Sequence, residues 1–217
     1  MLLISACDPG EVTRTCSHAE IVGSAVVPNP NNVLSAVVTA TVRSADSVAV
    51  RFGLIPSGLD SVTPAVAVHG ETVVIPVLGL LPEQEYQLRL EASGCGIATR
   101  SAPLEHVTGS LPADLPVYTA SGLDPTPGYV VFAAGSYGLV IDNTGRVVWY
   151  RRFPDGAGLN FQPQPTGRYV AFPPMSGAWT GNWLELDPLG NLTRTFGCAG
   201  GLSTRFHDLI ALPDGSY

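Results

Sequence analysis

One pattern limits what this chain can fold into more than any other. Leu139-Val-Ile-Asp-Asn-Thr-Gly-Arg-Val-Val-Trp149 and Leu184-Glu-Leu-Asp-Pro-Leu-Gly-Asn-Leu-Thr-Arg194 are variants of one sequence set 45 residues apart. Asp142 falls on Asp187 and Gly145 on Gly190, and at the same offset Phe161-Gln-Pro-Gln falls on Phe206-His-Asp-Leu. Each copy reads as a strand, a tight Asp-x-x-Gly turn and a second strand, and such a unit repeated at about 45 residues has the period of one propeller blade. A ring of blades closes with about four to eight of them. The sequence from Pro116 to Tyr217 holds about two and stops inside a strand signal, Leu212-Pro-Asp-Gly-Ser-Tyr217, so the chain reads as the front part of a longer protein.

Composition leaves little room for helices. Gly contributes 24 residues and Pro 19, and charged residues make up only 13%, about half the usual share. That mixture suits many short strands joined by turns. No stretch of about twelve residues sets apolar side chains at i, i+3, i+4 and i+7 against a polar opposite face, so the expected class is all-β. The net charge of −7 and isoelectric point near 4.9 leave no basic footprint, and the eleven basic residues are scattered, which argues against a nucleic-acid partner. No apolar run approaches the roughly eighteen residues that cross a bilayer as a helix.

Residues 19–108 alternate between β-rich runs and turns. The runs are Ala36-Val-Val-Thr-Ala-Thr-Val42, Ser47-Val-Ala-Val-Arg-Phe52, Thr72-Val-Val-Ile-Pro-Val77 and Tyr86-Gln-Leu-Arg-Leu-Glu91; Asn29-Pro-Asn-Asn32, Ser44-Ala-Asp46 and Leu81-Pro82 separate them. In the last run Tyr86, Leu88 and Leu90 share one face and Gln87, Arg89 and Glu91 the other, as a strand with one solvated side requires. The segment is expected to be a β-sandwich of about ninety residues. Leu80-Leu-Pro-Glu-Gln-Glu-Tyr86 reads Leu-x-Pro-x-x-x-Tyr and resembles the fibronectin type III corner, in which the tyrosine hydroxyl bonds back to the turn. The resemblance implies an immunoglobulin/fibronectin type III-like domain that serves as spacer or docking module. His69 and His106 have no second ligand at chelating spacing and read as exposed or core histidines.

Residues 1–18 are expected to be a lipoprotein-type signal remnant and linker. Ile4-Ser-Ala-Cys7 resembles the bacterial lipoprotein box, which implies acylation of the Cys7 thiol, loss of the preceding segment, and an exported chain lipid-anchored to a bacterial membrane, periplasmic or at the cell surface. Each buried acyl CH₂ contributes about 0.8 kcal/mol to such an anchor. Only six residues precede Cys7, fewer than the about fifteen of a complete signal. Cys16 and Cys95 stand at opposite ends of the expected sandwich and are candidates for a disulfide in an oxidising compartment. Cys198 is then odd, and without a Cys-x-x-Cys pair no metal site is expected.

Residues 109–128 are rich in Pro and Gly, as a domain boundary should be, and strand signals resume from 129 to 217. Gly128–Ala134, Tyr137–Ile141 and Arg146–Tyr150 lead through the Asp142–Gly145 turn; Val170–Phe172 and Trp183–Asp187 restart the cycle. The succession Gly138–Trp149, Trp183–Gly190 and Phe206-His-Asp-Leu-Ile-Ala-Leu-Pro-Asp-Gly215 resembles the bacterial arylsulfotransferase family. That resemblance implies an incomplete β-propeller of about two blades behind the sandwich. It further implies transfer of a sulfuryl group from an aryl sulfate donor to a phenolic acceptor through a sulfated histidine, without cofactor or metal. His207 matches the histidine of the family's His-Asp motif, which lines the funnel and binds the sulfuryl group; the covalent nucleophile and its arginine belong to later blades. Asp208 then orients His207 or accepts hydrogen bonds from its turn. The aligned slot in the preceding unit is Gln162, so the repeat itself does not demand histidine. Trp149, Trp179 and Trp183 read as blade cores before they read as an aryl pocket. This fragment is expected to be inactive. The rival expectation is a noncatalytic exported propeller lipoprotein that binds a protein or glycan partner, touching a membrane only through its lipid anchor.

Overall fold

The computed structural model describes residues 17–122, 126–173 and 181–217. Every regular element in them is a strand, in keeping with the expected all-β class. Nine strands build the first region: β1 (Glu20–Pro28), β2 (Ser35–Arg43), β3 (Ser47–Leu54), β4 (Ser61–Val62), β5 (Val66–Ala67), β6 (Thr72–Leu78), β7 (Glu85–Gly94), β8 (Ile97–Arg100) and β9 (Leu104–Val107). Sheet β1-β2-β6 packs on sheet β4-β3-β7-β8, with β5 paired to β3 and β9 to β7. Strand alternation sets Val38, Ala40 and Val42 of β2 and Ile75 and Val77 of β6 against Val48 and Val50 of β3 and Tyr86, Leu88 and Leu90 of β7. Each fully buried Val or Leu contributes about 1.5–3 kcal/mol, and this shared core makes the two sheets one sandwich.

The expected tyrosine corner is formed. The Leu81 amide donates to the Tyr86 hydroxyl at 2.8 Å. Thr108 completes the corner: its hydroxyl donates to the Leu81 carbonyl at 2.6 Å and receives the Gln84 amide at 2.9 Å. Backbone groups that the turn would leave without partners are thereby satisfied. His69 is exposed; His106 is buried, and burial pushes its pKa below the ordinary 6.5. Among the described residues no cluster of His, Cys, Asp and Glu could hold a metal.

The second region holds two antiparallel meanders, β10 (Tyr129–Ala134), β11 (Tyr137–Asp142) and β12 (Val147–Arg152), then β13 (Phe161–Pro163), β14 (Tyr169–Ala171), β15 (Trp183–Leu186) and β16 (Leu192–Phe196). The 45-residue repeat is repeated in geometry. Gly145 N–H donates to the Asp142 carbonyl at 3.0 Å and Gly190 N–H to the Asp187 carbonyl at 2.9 Å. Asp142 Oδ1 accepts the amides of Thr144 and Arg146, and Asp187 Oδ1 those of Leu189 and Asn191. Both glycines have positive φ, 87° and 79°, a region closed to most side chains. The strand pairs even slip register at the same place, between Val140 and Ile141 and between Glu185 and Leu186.

Two departures from the expected pattern have physical causes. The first meander has three strands where four are expected. The residues 45 before β13 are Pro116-Val-Tyr118, and a proline has no N–H to give a ladder. That stretch instead packs as a strap: Leu115 is buried, and Tyr118 meets Phe132 edge-on at 5.1 Å. The expected strand signal at Leu212–Tyr217 is a turn, closed by Gly215 N–H to the Leu212 carbonyl at 3.0 Å. Neither meander closes into a ring.

Aromatic rings join the two meanders. Trp149 stacks with Phe161 at 5.7 Å and with Tyr169 at 4.7 Å, a contact worth about 0.5–1.5 kcal/mol per pair beyond burial. Gly138 makes room for Phe161: a Cβ there would lie 2.7 Å from its ring. Trp149 and Trp183 are buried in the cores; Trp179 lies outside the described residues.

Candidate functional site

The segment Phe206-His-Asp-Leu209 aligns with β13 in sequence but forms no strand. Side chains from the start of the second meander hold it instead. Asn160 Nδ2 donates to the carbonyls of Phe206 and His207, both at 2.9 Å. Gln162 Nε2 donates to the Leu209 carbonyl and to Asp208 Oδ1, both at 2.9 Å. Gln164 accepts the Ala211 amide at 2.7 Å through Oε1. Three amide side chains two residues apart, all on one face of an extended stretch, thus replace a backbone ladder.

His207 is exposed, and its ring stacks on that of Phe206 at 4.6 Å and 22°. Among the described residues the imidazole has no hydrogen bond. Asp208 Oδ1 accepts from Gln162 and from the Leu209 amide at 2.8 Å. Among the described residues Asp208 makes no hydrogen bond to the His207 ring.

Cys7 and Cys16 lie outside the described residues. Cys95 is disulfide-bonded, and its Sγ lies 3.3 Å from the carbonyl oxygen of Ser17, the neighbour of Cys16 in sequence. Cys198 is free and exposed.

The most densely bonded site between the two regions was not visible as a site in the sequence. The Asp187–Asn191 turn offers three successive carbonyls, and each is taken. Trp149 Nε1 donates to Pro188 O at 2.8 Å, Asn29 Nδ2 and Asn31 Nδ2 to Leu189 O at 2.9 and 3.1 Å, and Arg151 Nε to Gly190 O at 2.9 Å. Asn31 Nδ2 also lies 3.0 Å from Asn191 Oδ1. Beside this joint the Val33 amide donates to the Tyr150 hydroxyl at 3.1 Å, and Leu34 packs with Leu115, Tyr137 and Leu139. In the sequence Asn29-Pro-Asn-Asn32 is a turn signal and nothing more.

A second buried feature also carried no motif. Glu185 is 3% exposed, with Arg168 Nη1 at 2.8 Å and the Thr193 hydroxyl donating to its Oε2 at 2.9 Å. A buried carboxylate is tolerated where it is paired and hydrogen-bonded in this way.

No protein-family model matches the chain, and no curated protein matches it. Among solved structures, the fn3 domain of human contactin 1 is similar to 54% of this chain over 92% of its own length, at 16% identity and a TM-score of 0.33. A likeness that low carries no part of the fold assignment, which rests on the two packed sheets and the tyrosine corner.

Proposed function

We propose that the chain is the N-terminal part of an arylsulfotransferase-like propeller protein that moves a sulfuryl group from an aryl sulfate to a phenolic acceptor. One observation carries the reading: two consecutive meanders repeat strand, capped turn and register slip at a 45-residue spacing, and at the same spacing in sequence an exposed histidine, His207, aligns with Gln162. On this reading residues 129–217 are the opening blades, the sandwich is a fibronectin type III-like docking module, and Cys7 carries the lipid that holds the exported protein at a bacterial membrane. Sulfuryl transfer builds negative charge on the peripheral oxygens and the departing phenolate. A protonated imidazole donating to either lowers the barrier, and an imidazole nitrogen can also take the group and divide one hard step into two.

One finding favours a second reading. Asp208 is engaged by Gln162, so His207 lacks the partner that fixes a catalytic imidazole's tautomer; this suits a noncatalytic exported propeller that binds a protein or glycan. The test follows 4-nitrophenolate release from 4-nitrophenyl sulfate with a phenol as acceptor. A protein carrying the further blades is expected to turn over, to lose about 10²–10³-fold in His207→Ala, and this chain alone to show none. Turnover by the 217-residue chain itself contradicts the incomplete ring, and further blades that give no turnover favour the binder.

A further inference from the structure

The outer face of the sandwich carries an arrangement of charge that the fold does not need. Arg51 of β3, Arg89 and Glu91 of β7 and Arg100 of β8 surround a cleft of ≈ 270 Å³ that Leu59 also lines. Arg51 stands directly across from Arg89, and Glu91 directly across from Arg100. Glu91 Oε1 takes both of its neighbours, with Arg51 Nε at 2.9 Å and Arg100 Nε at 2.7 Å. The Arg100 hydrogen bond, with Arg51 beside it, holds the Glu91 carboxyl below its ordinary 4.5.

Arg89 has no such partner. Among the described residues it makes no ion pair, and its Nε is buried without a hydrogen bond; Arg51 Nε, though close to Glu91, is also out of line for one. A buried donor left unmade costs about 1–3 kcal/mol, and like charges directly opposite on paired strands add to the cost. Three guanidiniums against one carboxylate leave two positive charges uncompensated, in a chain whose acidic residues outnumber its basic ones 18 to 11.

We propose that this face binds a tetrahedral dianion, inorganic sulfate, inorganic phosphate or a phosphate monoester, with Arg89 as the central ligand and Arg51 and Arg100 flanking it. Two charges match the local surplus. A tetrahedral ion also sends oxygens in diverging directions, so two guanidinium forks on neighbouring strands can each take a pair, whereas a planar carboxylate fills one fork. The site does not involve His207 and stands whether or not sulfuryl transfer is found.

The test titrates the ¹⁵N-labelled 217-residue chain at constant ionic strength with sulfate, phosphate, phenyl phosphate, acetate and chloride, reading arginine Nε–Hε signals and Tm. The dianions are expected to move the Arg89 signal saturably and to raise Tm as ligand binding to the folded state requires. Inorganic ions acting alone define a free-anion site, and a stronger response to phenyl phosphate defines an ester site. Arg89→Gln is expected to weaken binding at least about tenfold, the equivalent of about 1.4 kcal/mol, with Tm in dianion-free buffer at or above that of the parent. Arg100→Gln, at an exposed position, weakens binding by less, and Arg152→Gln, away from the cleft, leaves it unchanged. No saturable shift with any dianion, an equal response to chloride or acetate, or full binding in both Arg89→Gln and Arg100→Gln would overturn the proposal.

Discussion

In the first repeat the Asp142–Gly145 turn lies beneath the strap, where a Cβ on Gly145 would come within 2.8 Å of the Ala120 nitrogen; in the second, the Asp187–Gly190 turn meets side chains of Asn31 and Arg151. The backbone amides that cap the two turns are the same, while the hydroxyl bond from Thr144 to Asp142 has no counterpart at Leu189 and the surroundings differ. Behind the turns the contrast deepens. The paired positions at the register slip are Val140 with Trp149 in the first repeat and Glu185 with Arg194 in the second. The first repeat therefore faces its neighbour with a buried indole, and the second places a carboxylate paired with Arg168 and Thr193 at that depth. The unit of repetition is a locally satisfied turn, and its neighbours decide what each copy does.

That contrast breaks first at Trp149. Trp149→Ala removes the ring stacked on Phe161 and Tyr169 and is expected to cost about 3–5 kcal/mol. Arg194→Ala, at the matching position, reaches the Gly215 carbonyl from an exposed site and should cost under about 1 kcal/mol. Urea unfolding followed by circular dichroism measures both, and equal losses would mean the repeats share a core after all. Next come the glycines. Gly145→Ala meets backbone of the strap that cannot swing away and is expected to lose about 2–3 kcal/mol, while Gly190→Ala meets the flexible Arg151 side chain and loses about 1–2, mostly for its positive φ. A reversed order would show that the strap gives way more easily than the joint.

Smaller effects sharpen the same comparison. Asn31→Ala removes the bonds to Leu189 and Asn191 and is expected to cost about 1 kcal/mol, with faster amide exchange confined to the second turn. Faster exchange in the Asp142 turn as well would couple the repeats more tightly than described. The smallest effect is a pH dependence. The Thr144 hydroxyl above all, then the Thr144 amide and Arg146, holds the Asp142 carboxyl down from 3.8 to about 2. A lowered folded-state pKa stabilises the fold above the unfolded value and is lost as pH falls through the folded one, so the urea midpoint should fall between pH 3.8 and about 2 more steeply in the parent than in Asp142→Asn.

What could be read from the sequence follows from what is local. The Asp-x-x-Gly turns were legible because Asp, the amides two and four residues on, and a glycine free to take positive φ complete one another without outside help. The Leu-x-Pro-x-x-x-Tyr corner was legible for the same reason, since Tyr86 reaches back only five residues. The alternation along β7 placed its core face correctly, but it could not reveal that Arg89 and Arg51 oppose each other, because that depends on strand register. Asn29 and Asn31 reach about 160 positions along the chain to Leu189, and a turn signal looks the same whether or not anything docks on it. His207 lay where an inner strand was expected. Strand structure needs a partner on the ladder; held instead by amide side chains, the Trp183 indole and packing of Phe206 and Leu209, the segment stays irregular and the imidazole stays in solvent.

The joint at the Asp187–Asn191 turn changes what the connection between the two regions means. The strap leads from the sandwich into the first repeat, yet Asn29 and Asn31 grip the second. Val33 and Leu34 hold the first repeat as well, so a cut of the backbone at Gly122 is expected to leave the halves assembled. Mechanically, the sandwich is bracketed to both repeats by side-chain contacts that run in parallel with the covalent connection.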